Sequence, residues 1–196
     1  MKSVSLAVLV TLSLIAAAPA VMAQPQAAPD PPESDRPAAA ERFRNFLIDS
    51  AGPVVLLETI AWAAAAQVSE TPPEWGGGAK GFGKRYASLV GQGLIQESVT
   101  YGLSEALAVD SRFHKSRKRG FLPRAGEAVI QSVTSHRADG RRVVSAPLLA
   151  GYAAGGLGMM AWYPDGYTYR TGLRYGGVAL ASRAGVNLIR EFIMRR

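Results

Sequence analysis

The stretch LLAGYAAGGLGMMAWYP, residues 148–164, decides between two folds for this chain. It closes a run of 21 residues without a charged side chain, Val143 to Tyr163. A helix of about 20 apolar residues is long enough to cross a bilayer. The same run also suits a buried helix in a soluble bundle, because its small residues allow close packing of helices. The rest of the sequence has to distinguish these alternatives.

Small residues recur along this run at helical spacing. Gly151 and Gly155 form a G-x-x-x-G pattern, and Ala150, Ala154 and Gly158 form a second ridge of small side chains. Such ridges let two helix backbones approach closely, in lipid as in a soluble core. We therefore predict that Gly151, Gly155 and Gly158 are helix-packing positions. A homo-oligomer that packs through the same ridges is a further alternative.

The N-terminal segment has the organisation of a signal peptide. Lys2 supplies the positive charge, residues 4–18 form an apolar stretch, and a small-x-small cleavage site ends at Ala23. We expect residues 1–23 to be removed during export, with an uncleaved membrane anchor as the alternative. The mature protein is then expected in the periplasm or cell envelope.

The next segment, residues 24–40, is rich in proline and alanine and has little to bury. This composition is typical of a disordered linker. The remaining residues, 41–196, have the length of one ordinary domain and are enough to form a core. We therefore predict a single helical domain after the linker.

From Glu41 onward the apolar residues recur at helical spacing, and proline, glycine and aspartate interrupt them. The pattern predicts an all-α, glycine-rich bundle of about five helices, with the first helix interrupted at Gly52-Pro53 and residues 70–84 irregular. For GYTYRTGLRY, residues 166–175, the alternative is a strand of an outer-membrane barrel, because polar and apolar residues alternate. The predicted helices cover residues 41–69, 85–109, 123–137, 145–163 and 170–196.

Composition excludes several kinds of chemistry. The chain has no cysteine, which rules out disulfides, thiol nucleophiles and thiolate metal sites. It is basic, with 22 lysine and arginine residues against 15 acidic ones. A basic exported protein meets anionic lipid or an anionic envelope component, and we expect no nucleic-acid partner.

A basic loop follows the second long predicted helix, and hydrophobic residues lie beside its charges. Clusters of this kind attract anionic lipid headgroups, each basic residue contributing about 1 kcal/mol near the surface. We predict that this loop binds a membrane surface or an anionic partner. The alternative is a solvated loop that keeps the protein soluble. The six basic residues are Arg112, Lys115, Arg117, Lys118, Arg119 and Arg124.

Other motifs carry little chemistry. GGGAKGFGKR resembles a nucleotide-binding loop up to Lys84, but Arg85 replaces the required serine or threonine and no strand precedes it, so we expect no cofactor. His114 and His136 lack metal-ligand spacing. Glu58 is predicted on the solvent face of its helix, with a functional intramembrane acid as the alternative. We expect no enzymatic activity.

The C-terminal half resembles a group of exported bacterial proteins that are frequent in acidobacterial genomes and described only as hypothetical. The resemblance implies an exported helical protein and no particular activity. The chain departs from the group at Val143-Val144, where an asparagine and an aromatic residue are expected. The matching positions are Asp110, Arg112, Phe113, Gly120, Arg124, Arg137, Asp139, Gly140, Tyr163, Pro164, Asn187, Glu191 and Phe192.

Two functional hypotheses remain. The first is a non-enzymatic, membrane-associated helical envelope protein that docks on anionic lipid or a partner through the basic loop. We favour a compact bundle on the membrane over a polytopic protein, because successive loops are both basic and Glu58 interrupts an apolar helix. The second is a soluble periplasmic bundle that holds an apolar ligand between its helices, lined by Trp62, Tyr101 and Trp162.

Overall fold

The computed structural model describes residues 37–193, so the predicted signal peptide and most of the predicted linker lie outside the described residues. The described chain is mostly helical, as predicted, with one small three-stranded sheet that was not predicted. The helices are α1 (Ala39–Ala51), α2 (Pro53–Val68), α3 (Gly78–Ala106), α4 (Phe121–Ile130), α5 (Ala146–Gly158) and α6 (Tyr169–Phe192). The strands are β1 (Val109–Asp110), β2 (Thr134–Arg137) and β3 (Arg142–Val144).

Helix α5 is the central helix of the bundle and packs against both α3 and α6. It begins where predicted, because the Ser145 hydroxyl accepts a hydrogen bond from the Leu148 N–H at 3.2 Å and Pro147 occupies its first turn. The charge-free run is nevertheless not one helix, since Val143 and Val144 belong to β3. The 13 residues of α5 span about 20 Å, too short for the bilayer core of about 30 Å.

The predicted glycine positions lie on the face of α5 that meets α3. A Cβ atom at Gly155 would lie 2.8 Å from the carbonyl oxygen of Gln92, and one at Gly151 would lie 2.7 Å from that of Gln96. A Cβ at Gly158 would lie 2.7 Å from a side-chain atom of α3. Only glycine lets the two backbones come this close. The small-residue ridge therefore serves contacts within the chain.

The opposite face of α5 uses glycines in the same way against α6. A Cβ at Gly156 would lie 2.2 Å from the carbonyl oxygen of Gly172, and one at Gly176 would lie 2.4 Å from that of Tyr152. The partner glycines on α6 were not predicted, because their neighbours in sequence give no sign of the contact. Helix α5 is thus held between two close-packed helices.

Helices α1 and α2 run antiparallel to α3. At one end the Arg42 side chain of α1 bonds Glu105 near the end of α3, with a shortest distance of 2.6 Å. At the other end the Gln67 side chain of α2 accepts a hydrogen bond from Arg85, near the start of α3, at 2.7 Å. Gly52 separates α1 from α2 at the predicted position.

The glycine-rich segment is more regular than predicted, because α3 begins at Gly78 and not at Arg85. Arg85 is buried and donates hydrogen bonds to the carbonyl oxygens of Thr71, Pro72 and Gly76, at 2.7 to 2.9 Å. Gly76 and Gly78 both adopt a φ of 67°, which favours glycine. The segment therefore folds back onto the first turns of α3 around a buried arginine, and its Lys84 is exposed.

The third predicted helix, residues 123–137, is wrong in its second half. Helix α4 ends at Ile130, and Thr134–Arg137 forms β2, which pairs antiparallel with β3 and places Ser135 opposite Val143. The predicted turn at Asp139-Gly140 connects the two strands as a hairpin. Strands of three and four residues are too short to show an alternating pattern in the sequence. The barrel-strand alternative for residues 166–175 is also wrong, because α6 begins at Tyr169.

We predict that the Gly155→Ala substitution destabilises the protein by about 1–3 kcal/mol, because the added methyl group must displace the backbone of α3. Gly185→Ala on α6 is the matched control, since a Cβ there meets no atom within 4 Å. It should stabilise the protein by up to about 1 kcal/mol through helix propensity. Urea unfolding followed by circular dichroism measures both; equal effects would contradict the close-packing assignment.

Candidate ligand cleft and basic loop

A cleft with a volume of about 1370 Å³ lies between the α1–α2 segment and α6. Its floor is formed by α3 and α5, because α2 packs on α3 while α6 packs on α5. The opening follows from the order of the helices: α1 and α2 contact α3 on one side of the bundle, and α6 lies beyond α5 on the other.

Aromatic and aliphatic side chains line much of this cleft. Trp62 and Tyr101, which were predicted to line a ligand site, both line this cleft, and Leu89 and Tyr152 join them from the floor. The third predicted residue, Trp162, lies outside the cleft. Its ring packs on Gly91 of α3, and its indole N–H donates a hydrogen bond to Ser88 at 2.8 Å. These two residues lie on a face of α3 that points away from α2.

The two walls of the cleft carry opposite charges. Apart from the ion pairs Arg42–Glu105 and Arg112–Asp110 and the buried Arg85, the acidic residues of the lining lie on α1, α2 and α3, and the basic residues lie on α6. Within residues 37–193, none of these six side chains forms an ion pair closer than 4.0 Å. The acidic residues are Asp49, Glu58 and Glu97, and the basic residues are Arg174, Arg183 and Arg190.

Burial changes the titration of the groups on the cleft floor. Desolvation raises the pKa of Glu97, and the positive charge of Arg183 and a hydrogen bond from Gln96 offset only part of this rise. Desolvation also raises the pKa of Tyr152, which Arg183 again partly offsets. The middle of the cleft is therefore a poorly hydrated place in which unpaired charges are costly.

Two buried polar atoms in the cleft lining have no hydrogen-bond partner among the described residues: Oδ1 of Asn187 and Nε of Arg183. Asn187 is fully buried, and its Nδ2 donates to the Ala128 carbonyl oxygen at 3.2 Å and to the Ser132 hydroxyl at 3.0 Å. The carbonyl acceptor fixes the orientation of the amide. Arg183 donates from Nη2 to the Ser111 carbonyl oxygen at 2.9 Å.

Aromatic side chains close the end of the cleft near Arg85. The ring of Tyr163 lies 4.9 Å from that of Trp75, 5.0 Å from that of Tyr167 and 5.7 Å from that of Tyr175. Burial raises the pKa of Tyr163 above its ordinary value, and the hydroxyl of Tyr175 reinforces the shift. These side chains stay neutral and form an apolar boundary.

The basic loop is bound more tightly to the protein than its sequence predicts. Arg112 forms an ion pair with Asp110 at 2.7 Å, and Lys118 forms one with Glu127 at 2.9 Å. Arg142 of β3 is also bonded to Glu127. These cations neutralise carboxylates of the protein itself and are not free to bind an external anion.

Arg124 is engaged in the same way. Its Nε donates to the fully buried carboxylate of Glu191 at 2.7 Å, and its guanidinium lies 4.8 Å from the centre of the Phe192 ring. Glu191 also accepts the Ser116 N–H at 3.0 Å, which ties the loop to the end of α6. Fewer of the six basic residues predicted to bind lipid or a partner therefore remain unpaired. Arg117 and Arg119 are exposed, and Lys115 is half-buried.

Other polar groups near the sheet act as structural links. The hydroxyls of Ser111, Ser135 and Ser145 bond to one another and connect β1, β2 and the start of α5. The rings of His114 and His136 lie 5.8 Å apart. Among residues 37–193, no group of three or more histidine and acidic side chains is arranged to hold a metal ion.

No family model, no curated protein and no solved structure matches this chain. The resemblance to exported acidobacterial proteins stays a prediction. Several of its positions nevertheless meet in the structure, because Arg124 binds Glu191 and Asn187 bonds α4. These residues fix the basic loop and α4 onto α6, which is a structural role.

We predict that the buried ion pairs at Glu127 make stability depend on pH. Burial raises the pKa of Glu127, but the bonds from Arg142 and Lys118 outweigh it and hold the pKa below the usual 4.5. A carboxylate with a lowered folded pKa stabilises the protein above its unfolded pKa, and this contribution is lost as the pH falls. The free energy of unfolding should therefore decrease below pH 4.5.

Glu127→Gln tests this assignment. At pH 7 it should lower the free energy of unfolding by about 2 kcal/mol, because two charged donors lose their partner, and it should flatten the acid dependence. The control is Glu41→Gln at an exposed position of α1. Urea titrations at neutral and acid pH measure both variants, and an unchanged acid slope in Glu127→Gln would contradict the prediction.

Proposed function

We propose that the protein is a non-enzymatic envelope protein, exported by its signal peptide, that attaches to a membrane surface. The outer face of α1 and α2 provides the apolar contact, and the exposed arginines of the basic loop provide the attraction to anionic headgroups. The observation that carries the proposal is the exposure of a long apolar helical segment on one side of the bundle.

Apolar residues on the outer face of this segment are unusually accessible. Leu47 of α1 is 51% exposed, and Val54 and Leu57 of α2 are 60% and 67% exposed. By length and composition, Ala39–Val68 alone among the described residues qualifies as a helix that could cross a membrane, and 17% of its most apolar 18-residue window is buried. Exposed apolar surface of this kind is typical of a membrane or partner contact.

The position of the charges favours a helix that lies on the membrane over one that crosses it. Glu58, the only charged residue of α2, and Asp49 line the cleft, and Arg42 is bound to Glu105 of α3. The remaining charges of the segment, Glu41 and Arg44, are exposed in the first half of α1. An apolar face opposite a charged face is characteristic of helices that lie in the interface. The segment also stays packed along α3 over its length.

The basic loop lies at the end of the bundle where α1 begins, because it follows the C-terminal end of α3. Its two exposed arginines, Arg117 and Arg119, precede Phe121 and Leu122, both of which are largely exposed. Basic residues next to exposed apolar ones suit an anionic headgroup layer, where each arginine contributes about 1 kcal/mol. The loop therefore supports a membrane contact on the same side of the protein as the outer face of α1 and α2.

We predict that Leu57→Glu reduces the fraction of protein that floats with vesicles of phosphatidylethanolamine and phosphatidylglycerol by about tenfold or more. The change removes apolar contact and adds a charge that the interface repels. Ile189→Glu on α6 is the matched control, because Ile189 is 49% exposed and lies on another face. It should leave flotation within about twofold of the wild type; an equal loss in both variants would contradict the proposal.

A second prediction concerns charge. The double substitution Arg117→Gln and Arg119→Gln should weaken binding to anionic vesicles about 30-fold, which corresponds to about 1 kcal/mol for each arginine. Binding to vesicles without anionic lipid should not change. The control removes the same charge at the opposite end of α3 through Lys80→Gln and Lys84→Gln, both exposed. If the control loses as much binding, net charge and not the basic loop is responsible.

A further inference from the structure

Membrane attachment through the outer face of α1 and α2 leaves the cleft on their inner face without a role. The cleft has a volume of about 1370 Å³, above the range of about 300–1000 Å³ that suits drug-sized ligands. Its aromatic and aliphatic lining would hold an alkyl chain. A ligand that fills it is therefore an amphiphile, and the polar groups of the cleft indicate what its head carries.

The arginines of α6 indicate an anion in that head. Arg183 lines the cleft and donates from Nη2 to the Ser111 carbonyl oxygen, and its charge has no ion-pair partner within the described residues. Arg190 also lines the cleft and forms no ion pair within the described chain. Arginine side chains recognise phosphate and carboxylate through such N–H groups. An anionic group between the two guanidinium groups would pair with both of their charges.

The opposite side of the cleft indicates a cation with N–H donors. Asp49 and Glu97 line the same cleft without an ion-pair partner within the described residues. A purely anionic head would leave these acceptors unsatisfied and would be repelled by the two carboxylates.

We propose that the cleft binds an amphiphile whose head joins a phosphate to a primary ammonium group, as in phosphatidylethanolamine. The phosphate lies against Arg183 and Arg190, the ammonium lies against Asp49 and Glu97, and an acyl chain extends along the floor past Trp62. This site does not depend on membrane attachment, because it lies on the other face of α1 and α2.

The test uses dihexanoyl phosphatidylethanolamine below its critical micelle concentration, so that no membrane is present, with binding to the full chain measured by calorimetry. Dihexanoyl phosphatidylglycerol lacks the ammonium, and dihexanoyl phosphatidylcholine has an ammonium without N–H donors. We expect the ethanolamine lipid to bind at least about tenfold more tightly than either of the other two lipids. Only this lipid offers both a phosphate to the arginines and N–H donors to the carboxylates.

Three variants test which side chains bind the phosphate and which bind the ammonium group. Arg183→Gln should weaken the ethanolamine lipid by about tenfold or more through loss of the phosphate contact, and Arg190→Gln replaces it if the first variant does not fold. Glu97→Gln should weaken the ethanolamine lipid but not the glycerol lipid. The exposed Arg141→Gln, in the turn between β2 and β3, is the matched control and should change neither affinity.

Fluorescence locates the binding. Trp62 and Trp75 line the cleft and Trp162 does not. Trp62→Phe should therefore reduce the fluorescence change on lipid addition, the double substitution Trp62→Phe and Trp75→Phe should remove it, and Trp162→Phe should retain it. Leu57→Glu should keep full affinity for the soluble lipid, which separates this site from membrane attachment. The proposal is overturned if the glycerol lipid binds as tightly as the ethanolamine lipid, or if no lipid binds. In the second case a native mass spectrum showing dimers would indicate that a second copy fills the cleft.

Discussion

The close contact of α5 with α3 and α6 is the constraint on which the rest of the structure depends. Glycines at the contacts let carbonyl oxygens of one helix lie where a Cβ atom would otherwise be, on both faces of α5. Three helices packed this tightly leave little room for large side chains between them. The core therefore contains small and polar residues, and many large apolar side chains remain on the surface. This distribution is the physical reason that the protein has apolar faces to offer.

The same constraint produces the cleft. Because α5 is taken up by contacts with α3 and α6, the α1–α2 segment packs on α3 alone and does not reach α6 closely. The gap between them receives side chains from both walls, and the acidic side chains of one wall are not paired with the arginines of the other. Asp49, Glu58 and Arg174 are exposed to solvent, but a charge in the desolvated middle of the cleft, such as that of Glu97, is costly without a partner. The unpaired state is the feature that points to a ligand.

Local sequence patterns predicted the helices because the signals that determine them are local. The cap at Ser145, the proline at 147 and the glycines at 151 and 155 all act on neighbouring residues or on one helix face. The sheet and the ion pairs were not predictable in this way. Glu191 reaches Arg124 from 67 positions away, and single-sequence periodicity carries no information about such pairs. The cluster of cations in the basic loop is apparent from the sequence. The carboxylates of the protein that pair with these cations cannot be identified from it.

Glu58 shows how the two faces of α2 are related. From sequence it was an acid within an apolar helix, assigned either to solvent or to the interior of a membrane. In the structure it lines the cleft and is exposed, about 100° around the helix axis from Leu57. An acid at this position keeps the inner face polar without interrupting the outer apolar face, so one helix can contact lipid on one side and a polar headgroup on the other. A helix that crossed a bilayer alone could not keep this carboxylate ionised without a cost of about 3 kcal/mol. The arrangement therefore fits a helix that lies at the boundary between lipid and protein.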